Sequence, residues 1–236
     1  MLKNYNLPID NKILLEINDL YVNVKREDKE IFWGDSCASA YEFSINNIQF
    51  KGRRDISKRW EKIENLNFSG KRILDVGSNI GIFGIFLLYF SNAEKVTFLE
   101  QNTDWCEIIS KLGIGLGLEH KFEIVNKDYN KINLEESLGY DYDLVMLLCS
   151  LKYFNDVYDA MDYFERFPLL LFEGGEESYE TEFEDFFSYY RYNSQKISYE
   201  DNHSRLLYLF TKKEKPKFSH TRNMLSYHIA SYKDTK

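Results

Sequence analysis

The chain has 236 residues, of which 44% are hydrophobic and 29% charged, a balance that permits a buried core of α/β type. Its 12 Gly and 3 Pro exclude a low-complexity or Pro/Gly-rich disordered chain. The formal net charge of −8 disfavours broad electrostatic binding to a phosphate backbone, although a local basic patch is compatible with it.

The three cysteines, Cys37, Cys106 and Cys149, are widely spaced and form no C-x-x-C pair. This pattern predicts neither a disulfide framework nor a zinc site, and no other cluster has the spacing of metal ligands. The N-terminus lacks an apolar signal core, and the most apolar run, 82–90, is too short to span a bilayer. We therefore expect a cytoplasmic protein without a membrane span or a bound metal.

Residues 1–70 show little regular patterning and are predicted to form an N-terminal extension or lid. Two short apolar runs on either side of Asn46-Asn47 predict a hairpin over 41–50. A basic stretch, 51–66, has apolar residues at helical spacing and predicts a helix. Its Arg and Lys side chains, Arg59 included, favour a solvated face, with binding of an acceptor phosphate or carboxylate as the alternative.

From Lys71 onward, apolar strands alternate with amphipathic helices, which predicts a doubly wound α/β sheet with right-handed crossovers. Residues 71–212 form the predicted domain, and a polar tail follows over 213–236. The predicted strands cover 72–76, 95–100, 122–125, 143–149, 169–173 and 205–211, and the predicted helices cover 82–90, 103–112, 155–164 and 178–189.

The most informative segment begins at the end of the first strand of this domain, continues into the following turn and reads Asp75-Val-Gly77-Ser-Asn79-Ile-Gly81. Ligands of α/β sheets bind at the carboxyl ends of the strands, so we expect Gly77 and Gly81 to admit a ligand close to the backbone. Asp75 would repel a pyrophosphate but suits a cationic ligand. The segment lacks the glycines of a G-x-G-x-x-G dinucleotide motif, and no G-K-[ST] follows to make a P-loop.

Two further acids stand at the ends of the next strands. Glu100 ends the second strand, where a carboxylate can accept hydrogen bonds from both hydroxyls of a ribose. Asp128 follows the third strand and could accept a hydrogen bond from an adenine amino group. Together with the glycine loop, these acids predict a nucleoside ligand that carries positive charge.

The order D-x-G-x-N-x-G, strand-end acid and post-strand Asp resembles the class I S-adenosylmethionine (AdoMet)-dependent methyltransferases, over roughly 71–211. The resemblance implies a mostly parallel, seven-stranded Rossmann-like sheet with helices on both faces, and AdoMet as the cofactor. The cofactor-binding residues that it implies are Asp75, Gly77, Ser78, Asn79 and Gly81 in the loop, Glu100 and Gln101 at the ribose, and Asp128 and Tyr129 at the adenine.

The catalytic candidates lie after the fourth and fifth strands of the domain. Tyr153 stands where related enzymes often carry a His facing the methyl group, and a packed aromatic is its alternative interpretation. Glu173 and Glu176 belong to an acidic segment at the ligand-binding edge, where carboxylates could hold a base or a cationic acceptor. A solvated acidic loop is the alternative there.

These patterns predict an enzyme that transfers a methyl group to an oxygen or nitrogen of a small-molecule or glycan acceptor. The basic stretch ending in Arg59-Trp60 resembles a subset of the family that includes glycan-modifying and tRNA-wobble-modifying methyltransferases. RNA modification is therefore one alternative, and a catalytically silent AdoMet-binding partner subunit is another. The oligomeric state stays open.

Overall fold

The computed structural model of the protein describes residues 3–28, 41–52, 54–176, 180–197 and 205–213. The predicted polar tail, 213–236, lies outside these residues apart from Lys213, and Cys37 also lies outside them. No helix in the described ranges combines the length and the apolar character that crossing a bilayer requires.

The N-terminal segment, residues 3–63, is more regular than its sequence indicates. Its described residues, 3–28, 41–52 and 54–63, contain four short strands and two helices: β1 (Asn4–Tyr5), α1 (Asn11–Asp28), β2 (Tyr41–Ile45), β3 (Ile48–Phe50), β4 (Arg54–Asp55) and α2 (Ser57–Ile63). Strands β2 and β3 pair as the predicted antiparallel hairpin. Its two turn residues, Asn46 and Asn47, both have positive φ, which suits a tight two-residue hairpin turn.

Helix α1 is the main element that the sequence analysis missed. Its Asn and β-branched residues have modest helix propensity, so the segment carries no strong local signal. Its buried side chains, Leu14, Ile17 and Tyr21, nevertheless follow one helical face. The tertiary contacts of that face, chiefly with the helix over 103–115, compensate for the weak propensity.

A seven-stranded sheet forms the centre of the molecule, as the resemblance predicts. In chain order its strands are β5 (Arg72–Val76), β6 (Lys95–Glu100), β7 (Phe122–Asn126), β8 (Leu144–Leu148), β9 (Leu169–Glu176), β10 (Tyr192–Ile197) and β11 (Arg205–Lys212). Their order across the sheet is β10-β11-β9-β8-β5-β6-β7. The five strands from β9 to β7 are parallel, and β11 runs antiparallel to both β9 and β10.

Five helices connect these strands: α3 (Ile82–Phe90), α4 (Thr103–Gly115), α5 (Leu134–Leu138), α6 (Val157–Phe164) and α7 (Glu180–Tyr189). Neither α5 nor β10 was predicted from the sequence. Strand β10 lies at the edge of the sheet, and most of its middle residues are exposed, so it lacks the apolar run of a central strand.

The sheet buries a hydrophobic cluster on each face, because successive side chains of a strand point to opposite sides. In β5, Ile73 belongs to the cluster that contains α3, α4 and the N-terminal segment, whereas Leu74 belongs to the cluster that contains α6 and α7. The N-terminal segment therefore completes the core on one face of the sheet. Tyr21 illustrates this, since its ring contacts both Phe50 of β3 and Trp105 of α4.

The core role of α1 can be tested with two adjacent leucines. Leu14 is fully buried, whereas the side chain of Leu15 is exposed by 53%. We expect Leu14→Ala to lower the free energy of unfolding by about 2–5 kcal/mol through lost burial and a residual cavity. Leu15→Ala, the matched control, should change it by less than about 0.5 kcal/mol. Equal effects in urea denaturation would contradict this role.

Candidate functional site

The candidate site lies at the carboxyl edge of the central strands. Strand β5 is flanked by β6 and β8, with Asp75 paired in register with Phe98 on one side and Met146 on the other. The parallel register brings together the loops that follow these three strands. Most residues implied by the sequence pattern belong to these loops or to the loop after β7, which extends the same edge.

The loop after β5 is built on left-handed backbone positions. Gly77, Asn79 and Gly81 have φ values of 65°, 55° and 64°. A Cβ atom on Gly77 would lie 2.8 Å from the Cβ of Ser150, and one on Gly81 would lie 2.7 Å from Cγ1 of Ile109. Both glycines are thus required by φ and by packing against protein atoms. This corrects the expectation that their missing side chains chiefly make room for a ligand.

Glu100 connects two loops at this edge and is only 7% exposed. Its Oε2 accepts a hydrogen bond from the Asn79 backbone N–H at 2.7 Å, and its Oε1 accepts one from the Asn102 N–H at 2.9 Å. Glu100 therefore shapes the glycine loop.

Asp75 is the second buried acid of the site, with 3% exposure. Burial, reinforced by the negative charge of Glu100, raises the pKa of its carboxyl group to about 8. In the described part of the chain, no hydrogen bond or ion pair to this carboxyl group is found. A cation placed beside it would favour the ionised form and lower this pKa.

Two serine hydroxyls at the same edge are buried and have no hydrogen-bond partner among the described residues. Ser78 belongs to the glycine loop and was expected in the site, whereas Ser150, at the turn after β8, was not singled out. A serine that follows an apolar strand carries no distinctive sequence signal. The place of Ser150 in the site is evident only from its packing against Gly77 in the folded protein. Because buried hydroxyls are normally hydrogen-bonded, these two are suited to partners on a ligand.

The residues expected at the adenine extend the site along the edge. Asp128 accepts hydrogen bonds from the Asn130 N–H at 3.0 Å and from Lys131 Nζ at 2.9 Å, and the Lys131 bond is the main cause of its lowered pKa. Tyr129 is buried, its ring centroid 4.6 Å from that of Phe154. Burial and the nearby charge of Glu100 raise the pKa of the Tyr129 hydroxyl.

Gln101 and Tyr153 are the exposed members of the predicted set. The carbonyl of Gln101 accepts a hydrogen bond from Asn126 Nδ2 at 3.1 Å. Tyr153 ends a short 3-10 turn over Leu151–Tyr153 and is 50% exposed, which does not fit the alternative of a packed aromatic. Its carbonyl accepts a hydrogen bond from Asn130 Nδ2 at 3.0 Å, so its turn is tied to the loop after β7.

Glu173 lies in a buried network rather than in a solvated loop. It is 1% exposed and forms an ion pair with Arg59 of α2, which is 3% exposed. Its Oε2 also accepts a hydrogen bond from the Cys149 thiol at 2.9 Å. The solvated alternatives considered for Arg59 and Glu173 are therefore wrong. Glu176 is the last residue of β9, and its backbone is the register partner of Arg205 in β11. Its side chain lies outside the described part of the chain.

The fold resembles solved structures, although no family model matches the chain and no curated protein matches its sequence. A precorrin-6y C5,15-methyltransferase of Geobacter metallireducens is 11% identical, with a TM-score of 0.53 over 68% of this chain and 89% of that chain. A SAM-dependent methyltransferase of Aquifex aeolicus is 14% identical, with a TM-score of 0.51 over 66% and 88%. A Streptococcus pneumoniae protein, named as a candidate tRNA (m1A22) methyltransferase, is 14% identical, with a TM-score of 0.52 over 68% and 72%.

At these identities the likeness is one of fold. It confirms the predicted mostly parallel, seven-stranded Rossmann-like sheet, and it leaves the chemistry to be argued from the site. Among the described side chains, no three His, Cys, Asp or Glu residues group so that they could hold a metal ion.

The raised pKa of Asp75 predicts a specific pH dependence of stability. The folded carboxyl group keeps its proton up to about pH 8, whereas the unfolded one loses it near pH 4, so folding takes up a proton between these values. This stabilisation is complete below pH 4 and is lost as the pH rises towards 8, by at most about 1.4 kcal/mol per pH unit.

Urea unfolding between pH 5 and 8 measures this effect when the parent is compared with Asp75→Asn, whose amide does not titrate. The free energy of unfolding of the parent should fall relative to that of the variant as the pH rises. Parallel pH profiles would show that Asp75 is ionised in the folded protein throughout this range.

Proposed function

We propose that this protein is an AdoMet-dependent methyltransferase that acts on an oxygen or nitrogen of a small-molecule or glycan acceptor. The observation that carries the proposal is the buried Asp75, which has no cationic partner in the described part of the chain and lies beside Glu100 under a glycine-containing loop. In the free protein this carboxyl group stays protonated up to about pH 8, and a ligand that brings positive charge to this edge would favour its ionised form and pair with it.

The residues at the edge fit AdoMet group by group. Asp75 would hold a cationic group of the methionine portion, with the Ser78 and Ser150 hydroxyls available to its polar atoms. Glu100 would accept hydrogen bonds from the ribose hydroxyls. Asp128 would face the adenine amino group. When bound, AdoMet supplies a methyl group that its sulfonium already activates.

The protein's own task is then to bind and align the acceptor, exclude water and accept one proton. Tyr153 is half-exposed at the turn after β8 and is our candidate for contact with the acceptor. Glu173 is less suited to direct contact, because one of its oxygens bonds Arg59 and the other bonds the Cys149 thiol. Glu176 stays a prediction as an acceptor-binding residue.

The net charge of −8 supports a small-molecule or glycan acceptor over a polynucleotide. The burial of Arg59 in an ion pair also removes one cation from the face that an RNA would contact. An RNA substrate is nevertheless the second candidate, because one structural neighbour is named as a candidate tRNA methyltransferase. Transfer of tritiated methyl from AdoMet to fractionated cell extract, with and without ribonuclease, separates the two classes. Cofactor binding without transfer to any fraction would instead indicate a silent AdoMet-binding subunit.

Ligand choice is the first test of this function. We expect AdoMet and its demethylated product, S-adenosylhomocysteine, to bind, and NAD and ATP to bind at least about tenfold more weakly, a difference of about 1.4 kcal/mol. The reason is that the Glu100 carboxylate repels a pyrophosphate, whereas Asp75 can ionise and pair only with a ligand that carries positive charge. Isothermal titration of the four ligands under one buffer condition measures this, and NAD binding as tightly as AdoMet would refute the proposal.

Glu100 provides the second test. Hydrogen bonds to charged groups contribute roughly 1.5–3 kcal/mol each, part of which water replaces, so Glu100→Ala should weaken AdoMet binding by about ten- to a hundredfold. It should also lower the free energy of unfolding by about 1–3 kcal/mol, because the Asn79 and Asn102 N–H groups lose their acceptor.

The exposed Glu119 offers a matched control, since Glu119→Ala should leave both affinity and stability unchanged within error. Calorimetry and urea denaturation of the same samples separate the two effects of Glu100. A folded Glu100→Ala variant that binds AdoMet within twofold of the parent would remove Glu100 from the cofactor site.

A further inference from the structure

The turn after β8 touches both the glycine loop and the buried ion pair. Ser150 packs against the loop, with its Cβ 2.8 Å from the position that a Cβ on Gly77 would take. The preceding residue, Cys149, donates its thiol hydrogen to Oε2 of Glu173 at 2.9 Å. One dipeptide thus joins the candidate cofactor loop to a carboxylate on the neighbouring strand.

Hydrogen bonds from Cys149 to Glu173 help to hold this dipeptide in an unusual backbone conformation. Cys149 has a φ of 64°, a left-handed value that is unfavourable for most residues with a side chain. Besides its thiol contact, its backbone N–H donates to the Glu173 carbonyl at 3.2 Å. The position of the turn therefore depends on where Glu173 is held.

Glu173 in turn is held by the N-terminal segment. The Arg59 guanidinium pairs with its Oε1, and a second nitrogen of that guanidinium donates to the Tyr41 hydroxyl at 3.3 Å. The same guanidinium lies 5.3 Å from the ring centroid of Phe83. Because the pair is almost completely buried, solvent does not screen it, and its geometry is restricted by the surrounding packing.

We propose that Arg59 and Glu173 are positioning residues for the cofactor loop. Through Cys149 they hold Ser150 against Gly77, so that the N-terminal segment sets the affinity of the site for its cofactor. The inference rests on the proposed function of that site. The Ser150 hydroxyl, which is buried and lacks a hydrogen-bond partner in the described part, is the binding group that this chain of contacts places.

The test uses S-adenosylhomocysteine as the probe and calorimetry as the measurement. Arg59→Lys keeps the charge but loses the planar fork of donors, and Cys149→Ala removes the thiol while leaving the ion pair in place. Each single variant should bind the probe about five- to tenfold more weakly than the parent. The affinity of the double variant should lie within about twofold of that of the weaker-binding single variant, because both changes interrupt one chain of contacts.

Tyr192→Phe serves as the stability control. It removes a buried hydroxyl that donates to the Phe164 and Phe167 carbonyls near the far edge of the sheet. It should lower the melting temperature yet bind the probe within twofold of the parent. If this control lost affinity to a similar extent, the loss in Arg59→Lys would be explained by general destabilisation, and the inference would be overturned.

A measurement on the unsubstituted protein avoids any dependence on how the variants fold. Iodoacetamide labelling of Cys149, followed by peptide mass spectrometry, should slow at least about fivefold when the probe is bound, because a ligand beside Ser150 stabilises the arrangement in which the thiol bonds Glu173 and makes local opening of the turn rarer. Cys106 is the internal reference, since burial raises the pKa of its thiol to about 11.

The outcomes separate this inference from the proposed function. If the parent binds the probe but both single variants bind it within twofold, or if bound probe leaves Cys149 labelling unchanged, the positioning role is wrong and the methyltransferase proposal stands. If the fold-losses of affinity in the two single variants multiplied in the double variant, the two changes would act independently, which would likewise contradict a single chain of contacts. If the parent does not bind the probe at all, the proposed function fails and this inference fails with it.

Discussion

The structure depends on how buried negative charge is compensated at the carboxyl edge of its sheet. Three acids are buried in the described part of the chain, and each has a different environment: Glu173 pairs with Arg59, Glu100 accepts two backbone N–H groups, and Asp75 has neither. Unpaired burial disfavours the ionised form, as the raised pKa of Asp75 reflects. Glu173 and Glu100 thus have partners that stabilise this edge of the sheet, whereas Asp75 is the acid at which a ligand cation would be favoured.

This distribution connects stability with the proposed chemistry. The bonds that Glu100 makes to Asn79 and Asn102 fix the loops between which a nucleoside would lie, so the acid proposed to bind the ribose also shapes the site. Preorganised polar groups need little rearrangement when a ligand arrives, which favours binding. Substitutions at this edge are therefore expected to change affinity and folding together, and only paired measurements separate the two.

The N-terminal segment contributes to both core and site. Its helix α1 and hairpin complete the hydrophobic cluster on one face of the sheet, and Arg59 extends from the same segment to the end of β9. A cover that only closed over the ligand could be removed without loss of the core. Here Leu14, Ile17 and Tyr21 are fully buried, so the segment is bound to the sheet by the same apolar burial that stabilises the central domain.

The sequence by itself determined the order of the central strands and helices, the hairpin and the loop from Asp75 to Gly81. These features have local causes: apolar runs of strand or helix length, turn residues that accept positive φ, and glycine at tight positions. Helix α1 and strand β10 were decided by tertiary structure, because their local signals are weak and their stability comes from packing and strand pairing. The same holds for the site. Arg59 and Glu173 are 114 residues apart, and Ser150 is distinguished only by its contact with Gly77. Sequence patterns record spacing along the chain, whereas the compensation of a buried charge is a property of neighbours in space.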